Sequence, residues 1–422
     1  MKWNIAKLGQ VTERIRNGLN ISQASDAGGL PITRIETISN QVIDPGKFGF
    51  AGIQEGDKAD WYLKSGEILF SHINSEERIG NSALYEGIPY PLVHGMNLLS
   101  LTPDETKILP KFLLYFARSM QFHQSLKPII KRAVNQASVS IGNLRTIDIP
   151  LPLLSEQRRI VEILDQADAL RKKRAEADAK AARILPTLFY KMFGDPATNP
   201  KGWPTVRIQD LVTSIERRDP TLQPDNIFIY IDIAGVDGKT GIIVEMKELL
   251  GAAAPSRARQ VIRENDVIVS TVRPYLRATA LVPKHLDNEI CSTGFCVLRA
   301  RKGRGFGFLY ALSRLQWFTD QINARARGAS YPAVTDGDIL NLAIPCPDQT
   351  KTHEAFNAQV LGMLSLQKRR DTSAKAIQNL FASLLHRTFT GDLTAKWREA
   401  HIKELLAEIE QQSKYLNQDQ MV

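Results

Sequence analysis

Cysteine is scarce in this chain: Cys291, Cys296 and Cys346 are the only three. Their number and spacing suit neither a disulfide framework nor a zinc site. A reducing compartment, the cytoplasm, is the expectation that follows. No run of about 18 apolar residues occurs, so no membrane-spanning helix is expected. The first residues lack the apolar centre of a secretory signal. Catalytic signatures are missing as well. Gly238-Lys239-Thr240 ends like a phosphate-binding loop, but that loop needs a glycine where Ile233 stands, so a turn between strands is the better reading. Asp104 and Glu105 are adjacent in a charged turn, not delivered from two strands as in a metal-dependent nuclease. There is no Asn-Pro-Pro-Tyr or Asp-Pro-Pro-Tyr motif for methylating a flipped base, and no glycine-rich cofactor loop behind a strand. The seven histidines form neither a His-x-x-x-His nor a Ser/His/Asp pattern. These absences argue against a self-sufficient nucleic-acid enzyme.

The 422 residues, 43% hydrophobic and 23% charged, describe a globular chain of two or three domains. The formal net charge of +9 favours a polyanionic partner. That charge is uneven. Residues 1–150 hold 16 Lys and Arg against 14 Asp and Glu, whereas residues 203–330 hold 18 against 13. Ten of those 18 are crowded into residues 257–304, so the second half is expected to grip phosphate more strongly.

The chain is also written twice. Residues 122–195 and 318–392 present the same events in the same order: a small polar turn, a short strand, an Ile-Pro-x-Pro step, a long helix with a basic centre, and an aromatic-Gly-Asp stop. Ile149-Pro150-Leu151-Pro152 matches Ile344-Pro345-Cys346-Pro347, and Arg171-Lys172-Lys173-Arg174 matches Gln367-Lys368-Arg369-Arg370. A unit this long is a domain pair and not a solenoid repeat. Each half opens on a tryptophan, Trp3 or Trp203, followed by a helix-like segment at 8–16 or 208–217. Strands are expected at 68–71 and 267–270, then at 97–101 and 295–298, with short helices at 111–118 and 308–314.

Residues 155–193 contain no glycine and one proline, Pro186. Ile160, Ile163, Ala167, Leu170, Ala177, Ala181, Ile184 and Leu188 follow the spacing of a coiled-coil seam, as do Phe356, Val360, Met363, Leu366, Ala374, Ile377, Leu380 and Leu384. Each such helix would be about 58 Å long at ~1.5 Å per residue. Two helices of equal length are expected to pair with each other, with Ile160, Leu170, Ile184, Phe356, Ile377 and Leu384 in the packing. A third amphipathic helix is expected at 396–412.

The order of these pieces carries a resemblance. Leu154-Ser155-Glu156-Gln157 opens the first helix, and Phe193-Gly194-Asp195-Pro196 leads to Gly202-Trp203-Pro204. After the second helix come Phe389-Thr390-Gly391-Asp392-Leu393-Thr394 and Trp397-Arg398. Over essentially its whole length the chain resembles the DNA-specificity subunit of a Type I restriction–modification enzyme. The resemblance implies a mixed α/β fold with a pseudo-twofold internal repeat. Two globular target recognition domains, 1–152 and 196–347, are separated by two long antiparallel coiled-coil spacer helices, 153–195 and 348–422. It implies a non-enzymatic subunit that reads a bipartite, asymmetric site on double-stranded DNA. The partners would be two copies of an adenine methyltransferase subunit and a restriction and translocase subunit. S-adenosylmethionine, ATP and Mg would belong to those partners, and this chain would hold no cofactor or metal. A coiled-coil scaffold without a DNA role is the other alternative, opposed by the basic excess and the duplicated polar loops. In one place the chain departs from the pattern: Asp348-Gln349-Thr350-Lys351-Thr352-His353-Glu354 replaces the Leu-x-Glu-Gln helix start in the second half.

Base edges are read by Asn, Gln and Arg, and phosphates are gripped by Arg and Lys. The candidates in the first half are Arg34, His72, Asn74, Arg78, Asn135, Gln136 and Ser138. In the second half they are Arg257, Arg259, Arg273, Tyr275, Arg277, Arg325, Arg327, Ser330 and Tyr331. The loop 272–277 corresponds to 71–78, and 325–331 to 132–138. The basic runs 171–174 and 368–370 are candidates for a phosphate or an acidic partner surface.

Overall fold

A computed structural model describes residues 3–24, 27–133, 136–406 and 408–409. The chain divides into two compact units, one made of Met1–Lys172 with Lys375–Val422 and the other of Lys173–Ala374. Both cuts fall inside long helices, Leu154–Ala182 and Thr350–Phe389. Each unit therefore holds a globular part and one half of each long helix.

In the first unit, four antiparallel strands lie in the order Thr12–Asn17, Leu99–Pro103, Ile68–Phe70 and Ser82–Leu84. Alternation divides the central strand between two cores. Ile68 and Phe70 join the cluster beneath the helices, while Leu69 faces a second cluster around Leu63, Tyr85 and Leu98. Both faces are covered, which is why this strand reads as an unbroken apolar run. The helices Pro110–Ala117 and Met120–Leu126 close one side. Asn4–Lys7 pairs antiparallel with Asp148–Leu151, the strand that enters the first long helix.

The second unit repeats this plan. Its sheet order is Val212–Thr213, Phe295–Ala300, Val267–Ser270 and Thr279–Leu281. Val267 and Val269 again face one core and Ile268 another. The helices Phe306–Ser313 and Gln316–Asn323 stand where the first pair stood, and Thr205–Arg207 pairs with Ala343–Pro345. An extra sheet joins Lys247–Leu250, Ile227–Ile231, Ile290–Ser292 and Ala258–Val261, with one parallel pairing.

Within each unit the two long helices run in opposite directions. In the first, Glu156 bonds Arg398 at 2.6 Å, and fifteen residues on, the Arg171 guanidinium lies 4.5 Å from the centre of the earlier Phe381 ring. In the second, Asp178 bonds Arg370 at 2.6 Å, and the later Phe193 ring meets the earlier Phe356 ring at 5.0 Å. The apolar anchors sit toward the globular parts: Ile160, Leu164, Ala167, Phe381, Leu385 and Phe389 in one unit, and Phe189, Phe193, Phe356 and Val360 in the other.

Several expectations need correction. Segment 8–16 is a short turn, Leu8–Gln10, followed by strand Thr12–Asn17, and 208–217 keeps helix only at Ile208–Leu211. The first long helix is broken at Arg183 and resumes as Ile184–Phe193. Pro186 is the cause, since it has no N–H for the Ala182 carbonyl and its ring crowds that oxygen. Leu170 and Ile184 are each 52% exposed and do not line the packed seam. Ile160 and Phe356 are fully buried, and Ile377 and Leu384 are half-buried. The third helix is resolved into Ala395–Ala400 and a following turn of helix at 402–406, while 407 and 410–412 fall outside the described residues. No helix among the described residues is long and apolar enough to cross a membrane.

Candidate nucleic-acid interface

In both units the central strand of the sheet runs out into a loop that is captured by a second, distant loop. In the first unit Ile73–Asn74 pairs with Gln136–Ser138, which pairs in turn with Lys131–Ala133. Ala137 thus stands between Asn74 and Arg132. In the second unit Ala333 stands between Val272 and Arg327 in the same way. The two loops singled out in each half are thereby brought to one tip.

At the first tip Arg132 is clamped by Glu76 through two bonds of 2.8 and 2.7 Å. Those bonds hold the Glu76 carboxyl below the usual carboxylate range. Arg78 and Gln136 are exposed, and the Arg78 guanidinium has no ion-pair partner among the described residues. Ser138 is half-buried between its strand neighbours. Two candidates are spent on the fold. His72 is buried, and desolvation pushes it down to about 4, so it is neutral and offers no charge to a phosphate. Asn74 donates to Ser71 Oγ at 3.2 Å, and its Oδ1 accepts the Ser75 N–H at 2.8 Å. Asn135 lies outside the described residues. Arg34 belongs to another turn, where it faces Glu36 at 3.6 Å.

At the second tip the Arg273 guanidinium lies 4.4 Å from the centre of the Tyr331 ring, and the Arg273 N–H donates to the Pro332 carbonyl at 2.7 Å. Tyr275 and Ser330 are exposed. Arg277 donates to Gln316 Oε1, and Arg325 to the Gln321 carbonyl. Arg327 meets Asp338 at 3.2 Å. Arg257 and Arg259 border the extra sheet and not this tip. Arg257 is exposed, and Arg259 is held by Asp219 at 3.2 Å and by the Pro255 and Ala258 carbonyls.

The basic runs of the long helices are largely neutralised from within. Arg171 and Lys172 reach Asp168 at 3.1 and 3.2 Å, and Arg174 and Arg370 share Asp178. Lys173, Lys368 and Arg369 remain exposed.

Two arginines escaped the sequence reading. Arg14 and Arg16 alternate on strand Thr12–Asn17, with Arg14 at 3.5 Å from Glu67 and Arg16 over the Trp61 ring at 4.8 Å. Taking 8–16 for a helix hid the period of two that places them on one face.

A nucleophile and a base do approach each other at Cys346 and His353, 3.8 Å apart. Burial pushes the thiol up to about 12 and pushes the imidazole down, so both are neutral. His353 Nε2 sits 2.9 Å from the Pro347 carbonyl, which identifies a packed pair and not an activated nucleophile. No cluster of His, Cys, Asp and Glu suited to a metal occurs among the described residues.

Residues 1–178 match a family model described as the Type I restriction modification DNA specificity domain. A putative type I restriction enzyme specificity subunit from Methanocaldococcus jannaschii is 31% identical over 415 residues, 93% of this chain and 94% of that protein. The EcoDI specificity subunit of Escherichia coli is 22% identical over 202 residues, 47% of this chain and 44% of that one. In fold, the chain is similar to a Type-I restriction-modification S subunit from M. genitalium, with a TM-score of 0.56 over 92% of this chain and 96% of that one at 12% identity.

Proposed function

This chain belongs to the type I restriction enzyme specificity subunits, and on that footing we propose that its two tips each read one half of a split DNA site. It is the sequence-specific DNA-recognition subunit of its complex, and catalysis belongs to the subunits it directs. The observation that supports the two-part reading is the repeated convergence of loops: Asn74–Ala137–Arg132 in one unit and Val272–Ala333–Arg327 in the other. Arg78 and Gln136 at the first tip, and Arg273, Tyr275 and Tyr331 at the second, are side chains suited to a DNA groove.

The paired long helices serve in this reading as spacers that fix the gap between half-sites. Their exposed surfaces, including Leu170 and Ile184, are available to two methyltransferase subunits, and a translocating restriction subunit completes the assembly. S-adenosylmethionine, ATP and Mg act in those partners.

The test is a map of methylated adenines in the native host with and without this gene. The expected result is a split motif with a fixed gap that loses its methylation in the deletion strain. A map unchanged by the deletion, in cells where the partner methyltransferase is expressed, would overturn the assignment.

A further inference from the structure

Among the described residues five arginines lie over aromatic rings. Three spend their N–H groups on the fold. Arg171 meets Asp168, Arg314 donates to the carbonyls of Thr279, Gly238 and Lys239, and Arg398 donates to Glu156 and Gly391. Arg16 and Arg273 do not: neither guanidinium has a hydrogen bond or ion pair among the described residues. Arg16 has both Nε and Nη2 enclosed, whereas Arg273 has only Nε enclosed. Arg273 also stands on the exposed tip beside Tyr331, which is 68% exposed.

The backbone around Arg273 is unusual. Arg273 and Arg277 have φ of 48° and 54°, the left-handed region that non-glycine side chains rarely occupy. They bracket the turn Pro274–Leu276, whose Tyr275 and Leu276 are 51% and 53% exposed. Residues kept in sparsely populated conformations cluster at functional sites, where the surroundings must hold them. Here the bond to the Pro332 carbonyl and the contact of the guanidinium with the face of Tyr331 hold Arg273.

The other arginines of this tip have given donors to the fold: Arg277 to Gln316 Oε1, Arg325 to the Gln321 carbonyl and Arg327 to Asp338. Arg273 has lost its freedom but kept its terminal donors. A phosphate can be gripped by a flexible cation, but a guanine edge needs a planar fork set in advance to meet O6 and N7 together. Stacking on an aromatic face sets that plane without using a terminal N–H. We infer that Arg273, held by Tyr331, reads a guanine in the half-site that the second unit contacts. This rests on the DNA-reading role set out above.

The test uses the complex of this chain with its methyltransferase subunits, duplexes carrying the methylated motif, and duplexes with single base pairs replaced. Wild type, R273A, R273K and Y331F are compared. In R273A, discrimination at one G·C pair of one half-site should fall about tenfold to a hundredfold, the range of a bidentate arginine contact. R273K should lose most of it while keeping affinity for DNA in general, and Y331F, which keeps the stack, should behave as wild type. Unchanged discrimination in the other half-site shows that the variant is folded. Equal weakening on every duplex with a shallower salt dependence would make Arg273 a phosphate contact and overturn the inference, as would full retention of discrimination. If the wild-type complex itself shows no preference among the duplexes, the DNA-reading role fails and not the choice of residue.

Discussion

Glu156 is almost wholly removed from water, yet it bonds Trp3 Nε1 at 3.0 Å, Arg398 at 2.6 Å and the Thr394 hydroxyl. It ties Trp3, just ahead of the first strand, the start of the first long helix and the chain past the second helix into one unit. Its neighbour Gln157 accepts the Leu109 N–H at 2.8 Å and donates to the Lys107 and Pro152 carbonyls. The Glu-Gln pair is therefore internal architecture. In the second unit its loss at 350–353 is made good in part by Asn357, whose Oδ1 accepts the Gly307 N–H at 2.8 Å, the matching helix entry. Removing one partner of a buried ion pair leaves the other charge desolvated, at a cost of about 3–5 kcal/mol. E156A and R398A should each lower the urea unfolding free energy of the first unit by about that much, and the double variant by clearly less than the sum. Additive losses would mean that the pair is not coupled.

Between Asp168 and Phe189 the first helical strand of the pair buries no apolar side chain, and between Val360 and Phe381 neither does the second. Within the second unit, Asp178 fills part of this gap by bonding Arg174 in its own helix and Arg370 in the opposite one. A polar contact at an otherwise unpacked position fixes register more than it adds stability. Because all three groups are partly exposed, D178A should cost no more than about 1 kcal/mol. Amide exchange should nevertheless quicken around 174–180 and 367–374, with the ends anchored by Phe189 and Phe356 unaffected. Uniform protection across the helices in D178A would show that the triad does not hold the register. The helices themselves were legible from periodicity. Their inner faces were only partly so, because each helix packs on a globular part as well as on its mate, so Leu164, Phe189 and Phe381 are buried while Leu170 and Ile184 are not. Pro186 is legible as a lone proline, and the break it causes at Arg183 is what divides one periodic stretch into two helices.

At the scale of the molecule, the internal repeat was the most readable feature, since it survives in strand order, in helix placement and in the pairing of the first strand of each half with the strand before each long helix. The tips were readable as loops because polar runs recur at matching places. Which of their side chains stay free was not, since Glu76 and Asp338 neutralise Arg132 and Arg327 across contacts that no local pattern announces. The spacer reading gives the repeat its purpose and can be tested by length. Four residues added to each long helix lengthen it by about 6 Å at ~1.5 Å per residue. That is roughly two base-pair steps of ~3.4 Å. Both helices must be extended together and within the unpacked middle, so that the anchors at Ile160, Phe189, Phe356 and Phe389 keep their partners. The methylated motif of such a variant should keep both half-sites and widen its gap by about two base pairs. A flexible tether would instead tolerate several gaps at once, because its ends are not held at one distance. A motif with the original single gap would exclude the helices as the ruler, and the spacing would then have to be set by the DNA or by the partner subunits.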